Sequence, residues 1–179
     1  MSTRRQNEAP KIIWSERVVV LHSPTADSLI ASGYGTARAH GALALSALEA
    51  AYLHERETIC LTDARGTPLT ESQIARRASK SDPEFWLRLV VYSDFRSRGY
   101  VIKTALKYGA DFRVYERGVK PGHDHSKWIV YPVHERAAFG WREFVAKNRV
   151  AHATRKHLVL AIVDDEGGVL FYEVGWMRP

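Results

Sequence analysis

Two predicted strands with a helix between them constrain the fold of this chain more than any other feature. Residues 126–133 and 156–163 are apolar runs of strand length, and residues 140–153 between them are predicted to be helical. A strand–helix–strand unit makes its two strands parallel, because the crossover returns the chain to the end of the sheet at which it began. His125 and Lys156, at the starts of these strands, are therefore expected at the same end of a sheet.

Tyr115 is predicted to lie at this end as well. It closes a predicted strand at residues 112–115, and the next strand in the chain follows His125. If these two strands are antiparallel neighbours, the end of one and the start of the other are adjacent. Strand alternation places Tyr115 on the same face as Arg113 and on the opposite face from Phe112.

Each of these three residues also has an ordinary structural interpretation. Tyr115 fits packing between a sheet and a helix. His125 fits a surface histidine beside Asp124, and Lys156 fits a solvated charge. Their convergence, which the strand order predicts, favours a functional site over three separate structural roles.

The chain is predicted to have two domains and the α/β (α+β) fold class. Residues 81–84 read Ser-Asp-Pro-Glu, which is typical of a helix start, and the helix is expected to run to Arg98 and stop at Gly99. Residues 1–80 are predicted to form a small N-terminal α/β domain, and residues 81–179 a mixed sheet flanked by helices. The further strands predicted for this second domain are residues 100–103 and 169–174.

The N-terminal domain is predicted from shorter patterns. Residues 12–22 are expected to be extended, residues 42–55 to form an amphipathic helix and residues 58–61 a strand. A short helix is expected from Thr25, and another helix capped by Thr70.

Charge and composition narrow the possible partners and compartments. The 26 Lys and Arg residues exceed the 20 Asp and Glu residues, for a net charge of +6, which suits either a polyanionic partner such as nucleic acid or a basic solvated surface. A single cysteine, Cys60, excludes an internal disulfide and favours a reducing compartment such as the cytoplasm. No apolar run approaches the roughly 18 residues that cross a bilayer, so no membrane association is expected.

Metal chemistry has weak support in the sequence. His123 and His125 could begin a metal site near Asp124, His152 or His157. No suitably spaced cysteine or carboxylate completes such a site, so neither a metal nor another cofactor is expected.

Two other stretches contain two glycines each. The acidic residues 164–166 are followed by two glycines and predict a turn. Residues 33–35 (Gly-Tyr-Gly) lack the spacing of a phosphate-binding loop.

Three segments of the second half resemble the archaeal tRNA-splicing endonuclease family. They are KYGADFRVYERG at residues 107–118, HDHSKWIVYP at residues 123–132 and RVAHATRKHLVLA at residues 149–161. The resemblance extends from residue 81 to the C-terminus, and the first half is more loosely similar to the N-terminal α/β domain of the family. It implies a restriction-endonuclease-like catalytic domain.

The resemblance also implies an activity. The family cleaves precursor tRNA at bulge-helix-bulge motifs without metal, leaving 2′,3′-cyclic phosphate and 5′-hydroxyl ends. Its catalytic set corresponds here to Tyr115 as the base, His125 as the acid and Lys156 as the group that stabilises transition-state charge. A phenol with an ordinary pKa of about 10 is mostly protonated at pH 7, so a positioning role for Tyr115 stays open.

Binding and assembly residues follow from the same resemblance. Arg149 and Arg178 correspond to arginines that stack on a bulged base, and the turn Asp164, Asp165 and Glu166 corresponds to an acidic subunit contact. Two cleavage sites per substrate require two active chains, and the resemblance implies that a tetramer supplies them, either of four identical chains or with a non-catalytic subunit. The alternatives are a non-catalytic RNA-binding or assembly subunit of this fold and a metal-dependent nuclease.

Overall fold

The structure is a computed structural model, which describes residues 9–15, 18–21, 23–105, 109–119, 122 and 125–177. The chain divides into two compact units, residues 1–85 and 86–179. The elements of the first unit are β1 (Lys11–Ile13), β2 (Val18–Leu21), α1 (Thr25–Ala31), β3 (Thr36–Ala37), a 3-10 turn (Ala39–Gly41), β4 (Leu43–Ser46), α2 (Ala47–Glu55), β5 (Cys60–Thr62) and α3 (Glu71–Ala78). The following elements are α4 (Phe85–Ser97), β6 (Val101–Ala105), β7 (Ala110–Tyr115), β8 (Trp128–His134), α5 (Trp141–Ala153), β9 (His157–Val163) and β10 (Val169–Val174).

Two small sheets build the first unit. β1 and β5 pair in parallel, and β4 lies between β2 and β3 in an antiparallel sheet. The imidazole of His54 in α2 accepts from the backbone N–H of Leu61 at 3.2 Å and lies 3.0 Å from the Leu69 carbonyl. This histidine therefore ties α2 to β5 and to the segment that follows it.

The prediction of one helix over residues 42–55 is wrong. The first part of this stretch is the strand β4, and the helix α2 begins only at Ala47. Leu43 and Leu45 are both almost fully buried, and β4 pairs on both sides. A short, continuous apolar run fits a central strand as well as a helix, so the sequence pattern alone does not separate the two.

Helix starts follow local capping chemistry. The Thr70 hydroxyl accepts from the N–H of Gln73, whose side chain returns to the Thr70 N–H, so the predicted cap of α3 is confirmed as a full capping box. Ser46 and Glu49 make the same arrangement at α2. α4 begins at Phe85, directly after the predicted start sequence at residues 81–84, and Asp82 Oδ1 accepts from the N–H of Glu84 at 3.2 Å.

A five-stranded mixed sheet forms the second unit. The strand order is β10-β9-β8-β7-β6, with β8 and β9 parallel and every other pair antiparallel. Aromatic pairs at 6.3 Å and 4.8 Å join α4 to Phe112 and Phe171 on one face. On the other face, α5 packs on Ile129, Tyr131 and Leu158. The sheet flanked by helices is the predicted α+β architecture, which is confirmed.

None of the helices in the described ranges combines the length and the apolar character that crossing a membrane requires.

Candidate active site

The register of three strands brings the predicted catalytic residues to one end of the sheet. Val114 of β7 lies opposite Trp128 of β8, and Trp128 lies opposite His157 of β9. Tyr115 is the next residue along β7, and Lys156 directly precedes His157. The predicted strand directions are thus confirmed, and Tyr115, Lys156 and the segment that leads into β8 share this end.

Lys156 is held by a backbone carbonyl beside His125. Its Nζ donates to the Ser126 oxygen at 2.9 Å, and Ser126 is only 6% exposed. The side chain of Lys156 is half-buried, and its backbone N–H donates to Ala151 at 2.9 Å. Ser126 directly follows His125 in the chain. The ammonium of Lys156 is therefore bonded to the backbone of the residue next to His125.

Tyr115 is the most buried of the three, with 3% of its surface exposed. The Arg113 guanidinium lies 5.8 Å from the centre of its ring, as expected for two residues on one face of a strand. Burial and this contact restrict the positions that the phenol can take.

His125 is exposed in the segment before β8. Its predicted metal-site partners His123 and Asp124 lie outside the described residues. Within the described ranges, no three His, Cys, Asp or Glu side chains come together as a group that could hold a metal ion.

A cavity of about 380 Å³ lies beside the predicted RNA-binding residue Arg149. It is lined by Val145, Asn148, Arg149, His152 and Trp176. The His152 and Trp176 rings meet edge to face, with centroids 4.7 Å apart. Sequence reasoning did not assign Trp176 to RNA binding, although Trp176 precedes the predicted residue Arg178 by two positions. It considered His152 only as a possible metal ligand. Arg178 lies outside the described residues.

The three acids of the predicted subunit contact have different surroundings. Asp164 Oδ1 accepts from the N–H groups of Glu166 and Gly168 at 2.9 Å and 2.7 Å, which builds the turn. Asp165 pairs with Arg136 and lies 3.1 Å from His134 Nε2. Within the described part of the chain, Glu166 is the acid of this turn whose carboxylate has no partner.

The family model described as "tRNA intron endonuclease, catalytic C-terminal domain" matches residues 85–171. The model described as "tRNA intron endonuclease, N-terminal domain" matches residues 11–74. The chain belongs to this family of enzymes, and the resemblance drawn from its motifs is confirmed.

Individual relatives support the same conclusion. The tRNA-splicing endonuclease of Thermococcus onnurineus is 40% identical over 78% of this chain and 79% of its own. The tRNA-splicing endonuclease of Methanococcus vannielii is 34% identical over 99% of both chains. That of Nanoarchaeum equitans is 44% identical over 62% of this chain and 75% of its own.

Proposed function

We propose that this chain excises introns from precursor tRNA by cutting bulge-helix-bulge motifs without a metal ion. The products are 2′,3′-cyclic phosphate and 5′-hydroxyl ends. The observation that carries the proposal is the bond from Lys156 Nζ to the carbonyl of Ser126, the residue after His125, at the end of the sheet where the strand that carries Tyr115 also ends. Family membership supplies the substrate, and this geometry supports the mechanism.

The reaction needs one proton removed and one proton supplied. Tyr115 takes the proton of the ribose 2′-hydroxyl, whose oxygen attacks the adjacent phosphorus. The bond from phosphorus to the 5′-oxygen breaks, and His125 gives that oxygen its proton. Histidine suits this step because an imidazole can carry a proton and donate it to a leaving oxygen.

Lys156 stabilises the charge that develops on the phosphate. As two oxygens share the phosphorus in the transition state, negative charge accumulates on the non-bridging oxygens. An ammonium already held at 2.9 Å from a backbone carbonyl needs little reorganisation to meet that charge. The ring of Tyr115 is buried, whereas His125 is exposed. The exposed histidine is the part of the site that RNA reaches first from solvent.

The cavity beside Arg149 is the proposed site for a bulged base. Its volume of about 380 Å³ admits a nucleobase, and its lining combines the Arg149 guanidinium with the Trp176 and His152 rings. Guanidinium planes and aromatic rings both stack on bases. Arg178 is proposed to complete this contact.

Assembly is proposed to be tetrameric: one substrate has two cleavage sites and each chain has one catalytic set, so two catalytic chains are needed, and the family resemblance implies that a four-unit assembly supplies them. The tetramer contains either four copies of this chain or two copies with a non-catalytic subunit. β10 ends the described sheet, and its Leu170 and Tyr172 are 64% and 55% exposed, so its outer edge suits strand pairing with a second chain. Glu166 suits docking into a basic cleft.

The free thiol of Cys60 fits the reducing cytoplasm, where we place the activity.

One assay tests the proposal. The purified chain is incubated in EDTA with a bulge-helix-bulge RNA, and the ends of the products are identified. Cleavage to cyclic phosphate and 5′-hydroxyl ends is the expected result. Cleavage only after a divalent metal is added would indicate a metal-dependent nuclease instead. RNA binding without cleavage in either condition would indicate a non-catalytic subunit.

A further inference from the structure

Four helices among the residues that the structure describes end in the same hydrogen-bonded cap. In α1, α2, α4 and α5, the last turn closes with one residue in the left-handed conformation and with a backbone bond from the residue after it to the carbonyl five positions back. The left-handed residues are Gly33 (φ 77°), Glu57 (φ 55°), Gly99 (φ 84°) and Arg155 (φ 54°). Glycine is the residue that adopts this conformation without strain, so Glu57 and Arg155 each destabilise their cap.

Arg155 occupies a position next to the candidate catalytic lysine. Its own N–H donates to His152 at 3.0 Å, and the following N–H, that of Lys156, donates to Ala151 at 2.9 Å. The Thr154 hydroxyl donates to the Val150 carbonyl at 2.8 Å and closes the same turn. The cap thus fixes the backbone of Arg155 by hydrogen bonds on both sides, one peptide before Lys156.

The Arg155 side chain is available for a ligand. It is exposed, and within the described part of the chain it has no hydrogen-bond or ion-pair partner. By contrast, Lys147 on the same helix pairs with Glu143 at 3.3 Å, and Lys156 is bound to the Ser126 carbonyl.

The surroundings of Arg155 favour a polyanion. Residues 144–163 contain no Asp or Glu, whereas Lys147, Arg149, Arg155 and Lys156 all lie among them. In the fold, the Glu173 carboxylate lies 2.8 Å from His157 Nδ1. The four cations of this stretch outnumber that acid, which favours a positive potential that attracts phosphates. A guanidinium can bind a phosphate with two parallel hydrogen bonds.

We propose that Arg155 binds an RNA phosphate adjacent to the one that is cleaved, and that the strained cap fixes the backbone from which this side chain extends. The inference rests on the proposed function. Arg155 is a binding residue: it holds the backbone of the substrate so that the scissile phosphate meets Lys156.

Arg155→Gly separates this role from a structural one. Relief of the strained conformation should raise Tm by roughly 2–4 °C. The affinity for a bulge-helix-bulge RNA with 2′-deoxy groups at the cleavage sites should fall about ten-fold at about 0.1 M salt, as for one lost charged contact. The slope of log K against log salt should become shallower by about 0.7 to 0.9. With cleavable RNA, KM should rise while kcat changes by less than about three-fold.

Two variants serve as controls. Glu57→Gly relieves the same strain in the cap of α2 and should raise Tm without weakening RNA binding. Arg155→Asn removes the charge with a residue that tolerates the left-handed conformation, and should lose affinity as Arg155→Gly does.

If Arg155→Gly keeps the parent's RNA affinity and the parent's slope of log K against log salt, the inference is overturned and the proposed function remains intact. A ten-fold loss that is equal in Glu57→Gly would also overturn it. A parent chain that neither binds nor cleaves the RNA would overturn both proposals. Arg155 could instead only stabilise the C-terminal end of α5 by compensating the helix dipole. In that case Arg155→Asn should have a lower Tm and the parent's RNA affinity, and this result would likewise contradict the inference.

Discussion

The candidate catalytic side chains differ in how firmly the protein holds them. Tyr115 is buried, Lys156 is half-buried and bonded to the Ser126 carbonyl, and His125 is exposed. A fixed phenol and a fixed ammonium suit groups that must be in place before the transition state forms. An exposed imidazole suits a group that exchanges its proton with solvent between turnovers.

The roles of Lys156 and His125 predict a loss of turnover without a loss of binding. Lys156→Ala and His125→Ala should each lower kcat by roughly 10²-fold to 10³-fold, because each removes a group that acts mainly in the transition state. RNA affinity should change by only a few-fold. Single-turnover cleavage measures the rate of the chemical step, and fluorescence anisotropy measures the RNA affinity. Lys80→Ala, which removes an exposed cation of the first unit, should leave kcat unchanged. Undiminished cleavage by either variant would remove that residue from the mechanism.

Tyr131 predicts a pH dependence of stability. Burial, together with the negative charge of Asp111, raises the pKa of Tyr131 to about 12. An unfolded tyrosine has a pKa of about 10. Between these values the unfolded chain has lost a proton that the folded chain retains, so the free energy of unfolding should fall, by roughly 2 kcal/mol, as pH rises from about 10 to about 12.

Chemical denaturation across this pH range measures the effect. Tyr131→Phe should remove this part of the decrease, at the cost of the bond from the Tyr131 hydroxyl to the Gly109 carbonyl (3.3 Å). Tyr172→Phe, at an exposed tyrosine, should retain the parent's decrease. The same pH profile in Tyr131→Phe and in the parent would contradict the assignment.

At the scale of elements, the turn into β3 depends on one glycine. Gly35 has φ of 57°, and its N–H donates to Glu49 Oε1 at 2.8 Å. A Cβ at this position would lie 2.4 Å from Leu43 Cδ1 and 2.6 Å from the Ala44 oxygen. The backbone of the turn and the strand β4 are therefore too close for any side chain.

Gly35→Ala should lower the free energy of unfolding by roughly 3 kcal/mol, since a clash adds to the left-handed strain. Gly41→Ala is the matched control, because Gly41 also has a positive φ, of 72°, but a Cβ there meets no atom within 4 Å. It should cost about 1 kcal/mol. Urea denaturation measures both. Equal losses in the two variants would show that crowding at Gly35 is unimportant.

At the scale of the whole molecule, the acidic turn before β10 is the feature most suited to contact a second chain. Asp164 shapes the turn and Asp165 is neutralised by Arg136, so only Glu166 of the three presents a carboxylate that lacks a partner in the described ranges. The proposed contact with a basic cleft therefore depends mainly on Glu166.

Charge reversal at Glu166 tests this contact. Glu166→Lys should lower the mass of the assembly, because a like-charge contact replaces an attractive one. Light scattering during gel filtration measures the mass. Glu55→Lys, a reversal at an exposed acid of α2, should retain the parent's mass. If Glu166→Lys also retains it, the turn is not a subunit contact.

Much of the second unit could be predicted from the sequence. β10 has the predicted bounds, and α5 and β9 each begin one residue after their predicted starts. Helical and strand periodicities are local properties that a sequence shows directly. A strand–helix–strand crossover such as β8–α5–β9 is nearly always right-handed and makes its two strands parallel. The shared end of His125 and Lys156 follows from that order, and Tyr115 joins them because its strand pairs antiparallel with the next one.

Tertiary structure decided the features that depend on distant or chemically ordinary atoms. The stretch that begins at Leu43 is a strand because β2 and β3 lie beside it, which an apolar run cannot specify. Lys156 is held by a carbonyl that every residue possesses, so no sequence pattern marks Ser126 as its partner. The cavity between Arg149 and Trp176 exists because a helix and the segment after the last strand pack together, and such long-range contacts form only when the whole sheet is in place.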